Sequence, residues 1–401
     1  MPLSLIGKRV ICSMSSRKHN KYENRKKQRL EKRMKDNAEY DNYDSVFTYD
    51  HLLESAKNCK RNVSWKMSVQ NFLLELPYNV FIIYHDLINR KFKIKTSYEF
   101  DIYERGKSRH IRSVHIRERV VQRCLCDYCL LPILSKTFVY DNCASLKGKG
   151  THFALRRLKK HINNFYIKYG LDGYVLLFDF SDYFASIPHN TIMELFGKYI
   201  TDKEILNLIR LFIEMESGDR GLCLGNEISQ VAALLVASPI DHYIKDKCGV
   251  KYYIRYMDDG IIIHQNKEFL KQLLKDMECM TNELGLKINM KKTKIVKLKD
   301  EFVFLKKKIH VIDTGKIYMR VLPRSINVMR RKLKKLYKKM LNGEMSYDDV
   351  ETAYQAWRSY ALEYDSYGSI RSMDKLYCVL YGEYMVRDKF WCYPSVVIKE
   401  E

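Results

Sequence analysis

An α+β fold is the expectation for this 401-residue chain, and three features set it. Two dense apolar runs of strand length, "LDGYVLLFDF" (171–180) and "KYYIRYMDDGIIIH" (251–264), are punctuated by Asp or Asp-Gly. The second run folds back on itself at "MDDG", where Asp259-Gly260 is a tight-turn signal, so it reads as a hairpin. Residues 267–284 and 323–343 place apolar side chains at three- and four-residue spacing and read as amphipathic helices.

Taken in order, residues 17–36 are strongly basic and poor in large apolar side chains, as expected of an arm that contacts phosphates. From Tyr49 onward "HLLESAK", "MSVQNFLLEL" and "FIIYHDLI" carry helical spacing, and "FKIKTSYEFDIYE" (92–104) has strand character. After the hairpin, Asn266 is a plausible cap for a helix with Phe269, Leu270, Leu273, Leu274, Met277 and Leu284 on one face. "LKINMKKTKIVK" (286–297) reads as one strand, and 301–322 as one hairpin around Asp313–Gly315. Pro323 opens a helix with Ile326, Met329, Leu333, Leu336 and Met340 as its apolar stripe, Lys and Arg opposite, and Gly343 as its stop. Ser346 caps a further helix.

A hydrophobic content of 46% supports a large core divided among two or three lobes. Lys and Arg outnumber Asp and Glu by 71 to 48, a net charge of +23, which predicts a polyanionic partner, nucleic acid first. No long apolar run occurs, and "SLIGKRVIC" is too short and too charged for a secretory signal, so a soluble cytoplasmic protein without a membrane partner is expected. The 11 cysteines are an odd number scattered along a long chain, which argues against a disulfide framework. The tightest group, Cys124, Cys126 and Cys129, lacks a second pair to complete a zinc site and reads as small apolar residues of a buried helix.

Three carboxylates stand apart. Asp179 closes one apolar strand, and Asp258 and Asp259 sit between two others. Carboxylates held together repel one another unless cations neutralise them, and hard divalent ions with oxygen ligands suit them best. Two such ions can activate an attacking hydroxyl and stabilise a leaving oxygen on phosphorus.

"YMDD" between apolar strands resembles the catalytic hairpin of reverse transcriptases. "LLFDFSDYFASIPH" (176–189) resembles the first catalytic strand, and "GLCLGNEISQVAALLVASPID" (221–241) the nucleotide-site loop and helix. "LGLKINMKKTKI" (284–295) and "FVFLKKKIHV" (302–311) resemble the elements after the hairpin, while "ERGKSRHIRSVHIRERVVQRCL" and "CASLKGKGTHFA" resemble the fingers. All occur in the family's order, over roughly residues 80–340.

The resemblance implies a right-hand polymerase fold. It gives a basic extension to residue 44, fingers over 45–170, a palm with an antiparallel sheet over 171–318, and a short helical thumb and tail over 319–401. It implies RNA-directed DNA synthesis on an RNA template from a DNA or RNA primer and dNTPs, with two Mg²⁺ ions or Mn²⁺ in their place. Asp179, Asp258 and Asp259 would hold the metals, and Lys292 is the candidate among the lysines of "NMKKT" for protonating pyrophosphate. Lys107 and Arg109 would hold the triphosphate, and Phe184 would exclude a ribose 2′-hydroxyl. Phe180, Leu224, Gly225, Ser229 and Gln230 are the remaining substrate-binding positions.

The nucleotide-site loop departs from many relatives, with Cys223 in place of Pro, Leu224 in place of Gln, and Ser229-Gln230 in place of Ser-Pro. This pattern resembles the error-prone enzymes of diversity-generating retroelements, which work with a small accessory protein. Antiviral-defence reverse transcriptases have similar loops and are the alternative. An inert RNA-binding scaffold is the reading from another class, disfavoured because all three carboxylates are present.

Overall fold

Apolar segments of the first half build helices around a buried hub. The structure is a computed structural model describing residues 35–95, 97–104 and 107–384, together with 28, 31 and 32. Most of the basic arm at 17–36 lies outside the described residues. Helices α1 (Tyr43–Val46), α2 (Tyr49–Cys59), α3 (Met67–Leu74) and α4 (Leu76–Ile88) come first. Thr48 caps α2 by accepting from the His51 amide, which starts the helix where the apolar spacing begins. A two-stranded antiparallel ribbon follows, β1 (Ser97–Glu104) and β2 (Lys107–Val114), so the strand foreseen over 92–104 begins five residues later. Phe92 is buried ahead of it, its ring 6.1 Å from that of Phe212.

Helix α5 (Ile116–Leu125) runs through a π-turn at Cys126–Leu130 into α6 (Leu131–Leu134). Pro132 has no N–H to give the preceding turn, and the Leu131 amide bonds five residues back to the Cys126 carbonyl. Cys124, Cys126 and Cys129 are buried here, and burial pushes their thiols well up, so they pack as small neutral side chains. Next come α7 (Thr151–Tyr169), β3 (Tyr174–Asp179), α8 (Tyr183–Ser186), α9 (His189–Phe196), α10 (Lys203–Ile213) and α11 (Glu227–His242). Helix α11 is apolar almost all round and is the hub: Val231 to Ala237 are all buried.

Strands β4 (Tyr252–Tyr256) and β5 (Asp259–His264) then form the foreseen hairpin, α12 spans Lys267–Glu283, and β6 is Lys294–Lys297. The main sheet has the order β4-β5-β3-β6. Its turn differs from the sequence expectation. Met257 and Asp258 make the turn, with Met257 at φ +53°, whereas Asp259-Gly260 already belongs to β5. Gly260 is needed for a different reason: a Cβ there would lie 2.0 Å from the Phe178 ring. Gly260→Ala is therefore expected to cost about 1–3 kcal/mol through overpacking. A lowered melting temperature, partly restored by adding Phe178→Leu, is the expected thermal-unfolding result, and an unchanged melt would refute this account of the glycine.

The strand foreseen over 286–297 is likewise interrupted. The Lys292 and Thr293 amides both bond the Asn289 carbonyl, closing a turn before β6 begins.

The chain divides into two compact units. The first takes in the described residues to Arg157, Phe178–Ile262 and Glu268–Lys294; the second takes in Leu158–Leu177, Ile263–Lys267 and the described residues from Ile295. The second unit carries an antiparallel sheet of β7 (Phe302–Phe304), β8 (Lys307–Val311) and β9 (Ile317–Val321). The single hairpin expected there is thus two. Its extra turn is made by Leu305 and Lys306 at φ +46° and +62°, without the Gly or Asn that marks such turns in sequence.

Helices α13 (Pro323–Leu341), α14 (Tyr347–Leu362) and α15 (Tyr367–Tyr381) complete this unit. Met329, Leu333 and Leu336 of the foreseen stripe pack with Val350, Tyr354, Met373 and Tyr377. Ser346 and Asp349 form the capping box of α14. Lys307 is buried between the rings of Tyr360 and Tyr364, 3.6 Å from each centroid, and burial pushes its ammonium down to about 8.

Candidate active site

The three acidic residues meet at one end of the main sheet, within the first unit. Asp179 is the last residue of β3, and its neighbour Phe180 donates its amide to the Asp258 carbonyl at 3.2 Å. That bond ties the end of β3 to the β4–β5 turn. On the other side the Asn289 amide donates to the Asp179 carbonyl at 2.7 Å, and the Ser181 amide to the Lys287 carbonyl at 2.8 Å.

Asp179 is buried, and its carboxylate accepts from Lys292 Nζ at 2.8 and 2.7 Å and from Asn289 Nδ2 at 3.3 Å. The turn at 289–292 is what returns Lys292 to this position. The Lys292 side chain is 55% exposed, so its ammonium reaches Asp179 from the solvent side. Its pKa is raised, first by that hydrogen bond.

The Asp259 carboxyl is pushed up to about 7, first by burial, then by the charges of Asp258 and Asp179 and a hydrogen bond to Asp179, with Lys292 opposing. Asp259 is therefore within hydrogen-bonding reach of Asp179, and Asp258 acts on Asp259 through its charge. Among the described residues no three His, Cys, Asp or Glu side chains are gathered as a ready metal cage. The donor chemistry nevertheless fits a hard divalent cation: the groups are all oxygen, mutually repelling, and one already holds a compensating ammonium.

The loop at 221–226 is adjacent in the fold to the Phe184 segment. The Leu222 amide donates to the Phe184 carbonyl at 2.9 Å, the Gly221 amide to the Ile187 carbonyl at 2.9 Å, and His189 Nε2 pairs with the Gly221 carbonyl at 2.8 Å. Phe184 is half-buried, its ring edge-on to Tyr183. Gly225 is exposed at φ +97°, a left-handed conformation, with the Arg112 carbonyl of β2 4.0 Å from where a Cβ would sit. Leu224 is half-buried and Gln230 exposed, its Oε1 accepting from Ser145 Oγ at 2.9 Å.

The Phe180 and Ser229 side chains are turned into the core. Phe180 is 2% exposed and stacked on Tyr183, and Ser229 is 1% exposed in the hub helix. Alternation sends Phe180 to the face of the strand opposite Asp179, and Ser229 falls on the inward side of α11, so neither offers side-chain surface to a substrate. Lys107 and Arg109 lie on β2, opposite Glu104 and Ile102, and their side chains are outside the described residues.

The supports of this loop come largely from residues distant in the chain. Asn226 caps α11 by accepting from the Ile228 and Ser229 amides. Gln122 Oε1 accepts from the Glu227 amide at 3.2 Å, and Arg123 Nη1 pairs with Glu227 at 3.0 Å. The Asn before Glu-Ile was a readable cap signal. Gln122 and Arg123 lie about a hundred residues away and had none.

The model of the family "Reverse transcriptase (RNA-dependent DNA polymerase)" matches residues 95–309, more than half of the chain. Protein YkfC of Escherichia coli K12 is 22% identical over 242 residues, which cover 50% of this chain and 62% of that protein. The chain thus spans less than two thirds of that relative. Among solved structures, apo telomerase from Candida tropicalis, truncated from its C-terminal domain, aligns at 16% identity and a TM-score of 0.42, covering 56% of this chain and 55% of that one. Telomerase from Candida albicans, in complex with a fragment of telomeric RNA, aligns at 13% identity and a TM-score of 0.45, covering 71% and 54%. No described helix is long and apolar enough to cross a membrane. With the family model extending over both the Asp179 strand and the Asp258–Asp259 hairpin, the chain belongs to the reverse transcriptase family.

Proposed function

We propose that the protein is an RNA-directed DNA polymerase that extends a DNA or RNA primer with dNTPs on an RNA template. The observation that carries this is the convergence of Asp179, Asp258 and Asp259 at the sheet end, where burial and mutual repulsion raise the Asp259 carboxyl to about 7. Divalent cations bound there, two Mg²⁺ or Mn²⁺, supply charge neutralisation at the phosphate that reacts. Asp179, Asp258 and Asp259 would hold those ions. Lys292 leaves Asp179 to donate a proton toward the departing pyrophosphate, its half-exposed stem giving it the freedom to move.

Lys107 and Arg109 on the β1–β2 ribbon bind the triphosphate, and Phe184 blocks a ribose 2′-hydroxyl. Leu224, Gly225 and Gln230 border the nucleotide and template. Residues 45–170 serve as fingers, 171–318 as palm and 319–401 as thumb. Helix α13, with Arg331, Lys332, Lys334, Lys335 and Lys338 exposed, follows the duplex backbone. The +23 net charge is in keeping with that partner.

The finer reading is error-prone copying in a diversity-generating retroelement, with a small accessory protein. It rests on Leu224, an aliphatic side chain next to the exposed Gly225, which removes a hydrogen-bonding group from the templating pair's surroundings. Primer extension by purified protein on RNA, with Mg²⁺ and sequenced products, tests both levels. DNA synthesis is expected, with errors concentrated opposite template adenine, and Leu224→Gln is expected to lower those errors about tenfold, the scale of one modest polar contact. Unchanged errors in Leu224→Gln would remove the retroelement reading and favour the defence-type alternative. Absence of synthesis on generic RNA, and on RNA transcribed from the flanking locus, would remove the polymerase.

A further inference from the structure

Arg255 and Asp241 form an ion pair whose side chains are both completely buried. Desolvating two charges is costly, and an apolar pair of similar volume often serves stability as well or better. The geometry shows what the guanidinium does besides pairing. Nε donates to Asp241 Oδ1 at 2.7 Å and Nη2 to Oδ2 at 2.7 Å, a two-point grip that fixes the guanidinium plane. Tyr253 holds the same carboxylate, its hydroxyl 2.5 Å from Oδ1.

With the plane fixed, Nη1 donates to the Met257 carbonyl at 2.9 Å, and Nη2 reaches the Leu234 carbonyl at 3.3 Å. Met257 is the left-handed residue of the β4–β5 turn. Its carbonyl belongs to the peptide plane that leads into Asp258. Gripping that oxygen sets the plane, and the plane sets the direction of the Asp258 side chain. The main chain of Arg255 is pinned as well, its amide donating to the Asp141 carbonyl at 3.1 Å and its carbonyl accepting from Cys143 at 2.9 Å.

We infer that Arg255 is a positioning residue for the carboxylate turn: held in register by Asp241, it locks the Met257–Asp258 peptide in the orientation that presents Asp258. This rests on the polymerase reading for its kinetic consequence only. Lysine cannot replace it, because one ammonium cannot meet both Asp241 oxygens and the Met257 carbonyl in a fixed plane.

The test compares Arg255→Met/Asp241→Leu, which removes both charges together, with Arg255→Lys. Hydrogen exchange of peptides covering 252–264 is measured without metal or nucleotide, beside thermal unfolding and steady-state primer extension. The double variant is expected to melt within a few degrees of the parent, because no lone buried charge remains. Its turn amides are expected to exchange about 10- to 100-fold faster, the scale of one lost charge-assisted hydrogen bond. kcat is expected to fall by a similar factor, with KM for dNTP changing less than about threefold.

Arg255→Lys carries the same exchange test should the double variant not fold. Parental exchange at the turn in a folded variant overturns the inference. If the parent itself extends no primer, the polymerase reading fails and the exchange result still decides the role of Arg255.

Discussion

Asp179→Asn, like the paired change Asp258→Ala/Asp259→Ala, is expected to abolish primer extension while leaving the protein as stable as before or more so. The two halves of that expectation have one cause. The carboxylates are held near one another against their repulsion, and burial adds to the cost for Asp259. Removing a carboxylate relieves repulsion and exposes no cavity. Lys292 is left behind by Asp179→Asn, but its half-exposed side chain returns to water at little cost. The loss in rate is expected to be about 10²- to 10³-fold or greater, because charge neutralisation at the reacting phosphate dominates such chemistry. Melting curves and extension rates measured on the same preparations check this. A variant that loses activity only by unfolding would show that the aspartates serve the fold and not the site. A variant that keeps its rate would exclude the chemistry proposed for them.

The second large effect concerns pH and metal. Folding raises the Asp259 carboxyl from its ordinary value of 3.8 to about 7, so the folded state holds a proton that the unfolded chain has released across that interval. Stability from this group is therefore present at acid pH and is lost as pH rises from about 4 through 7. Other carboxylates titrate in the same range, so the informative quantity is the difference between the parent and Asp259→Asn. The variant is expected to be more stable by about 1–3 kcal/mol at pH 8, after discounting for partial exposure, with the gap closing toward pH 5. Millimolar Mg²⁺ is expected to raise the melting temperature of the parent more at pH 8 than at pH 6, since protons and cation compete for the same oxygens. Equal stability of the two proteins across pH 5–8 would contradict the electrostatic account of the site. A Mg²⁺ response that survives in Asp179→Asn/Asp258→Asn would place the ion elsewhere.

What was legible in the sequence follows from how local each signal is. A carboxylate cannot sit in the middle of a dense apolar strand, so Asp179 at the end of "YVLLFD" and Asp258-Asp259 between two apolar runs had to lie at strand ends. Helical spacing likewise placed α12, α13 and α14, and a Ser-x-x-Asp box the start of α14, because an amphipathic stripe and a capping box act within a few residues. The turns were less legible. Asp-Gly is a strong local signal, yet Gly260 lies in β5 because a ring on the neighbouring strand occupies the space of its side chain. The turn went instead to Met257, whose left-handed backbone is held by Arg255 from within the core. Leu305-Lys306 carries no turn signal at all and is imposed by the pairing of β7 with β8.

By itself, then, the sequence determined the α+β class, the amphipathic helices of the second half and the placing of three acidic residues at strand ends, since each depends on periodicity or on the cost of burying charge. Only the tertiary structure decided which groups surround them. Lys292 reaches Asp179 through a turn that breaks an otherwise strand-like run, Gln122 and Arg123 reach Glu227 from another helix, and Asp241 meets Arg255 inside the core. Phe180 and Ser229 are turned inward by the same packing. Contacts between residues distant in the chain depend on how whole elements pack, and no local pattern of residues encodes that packing.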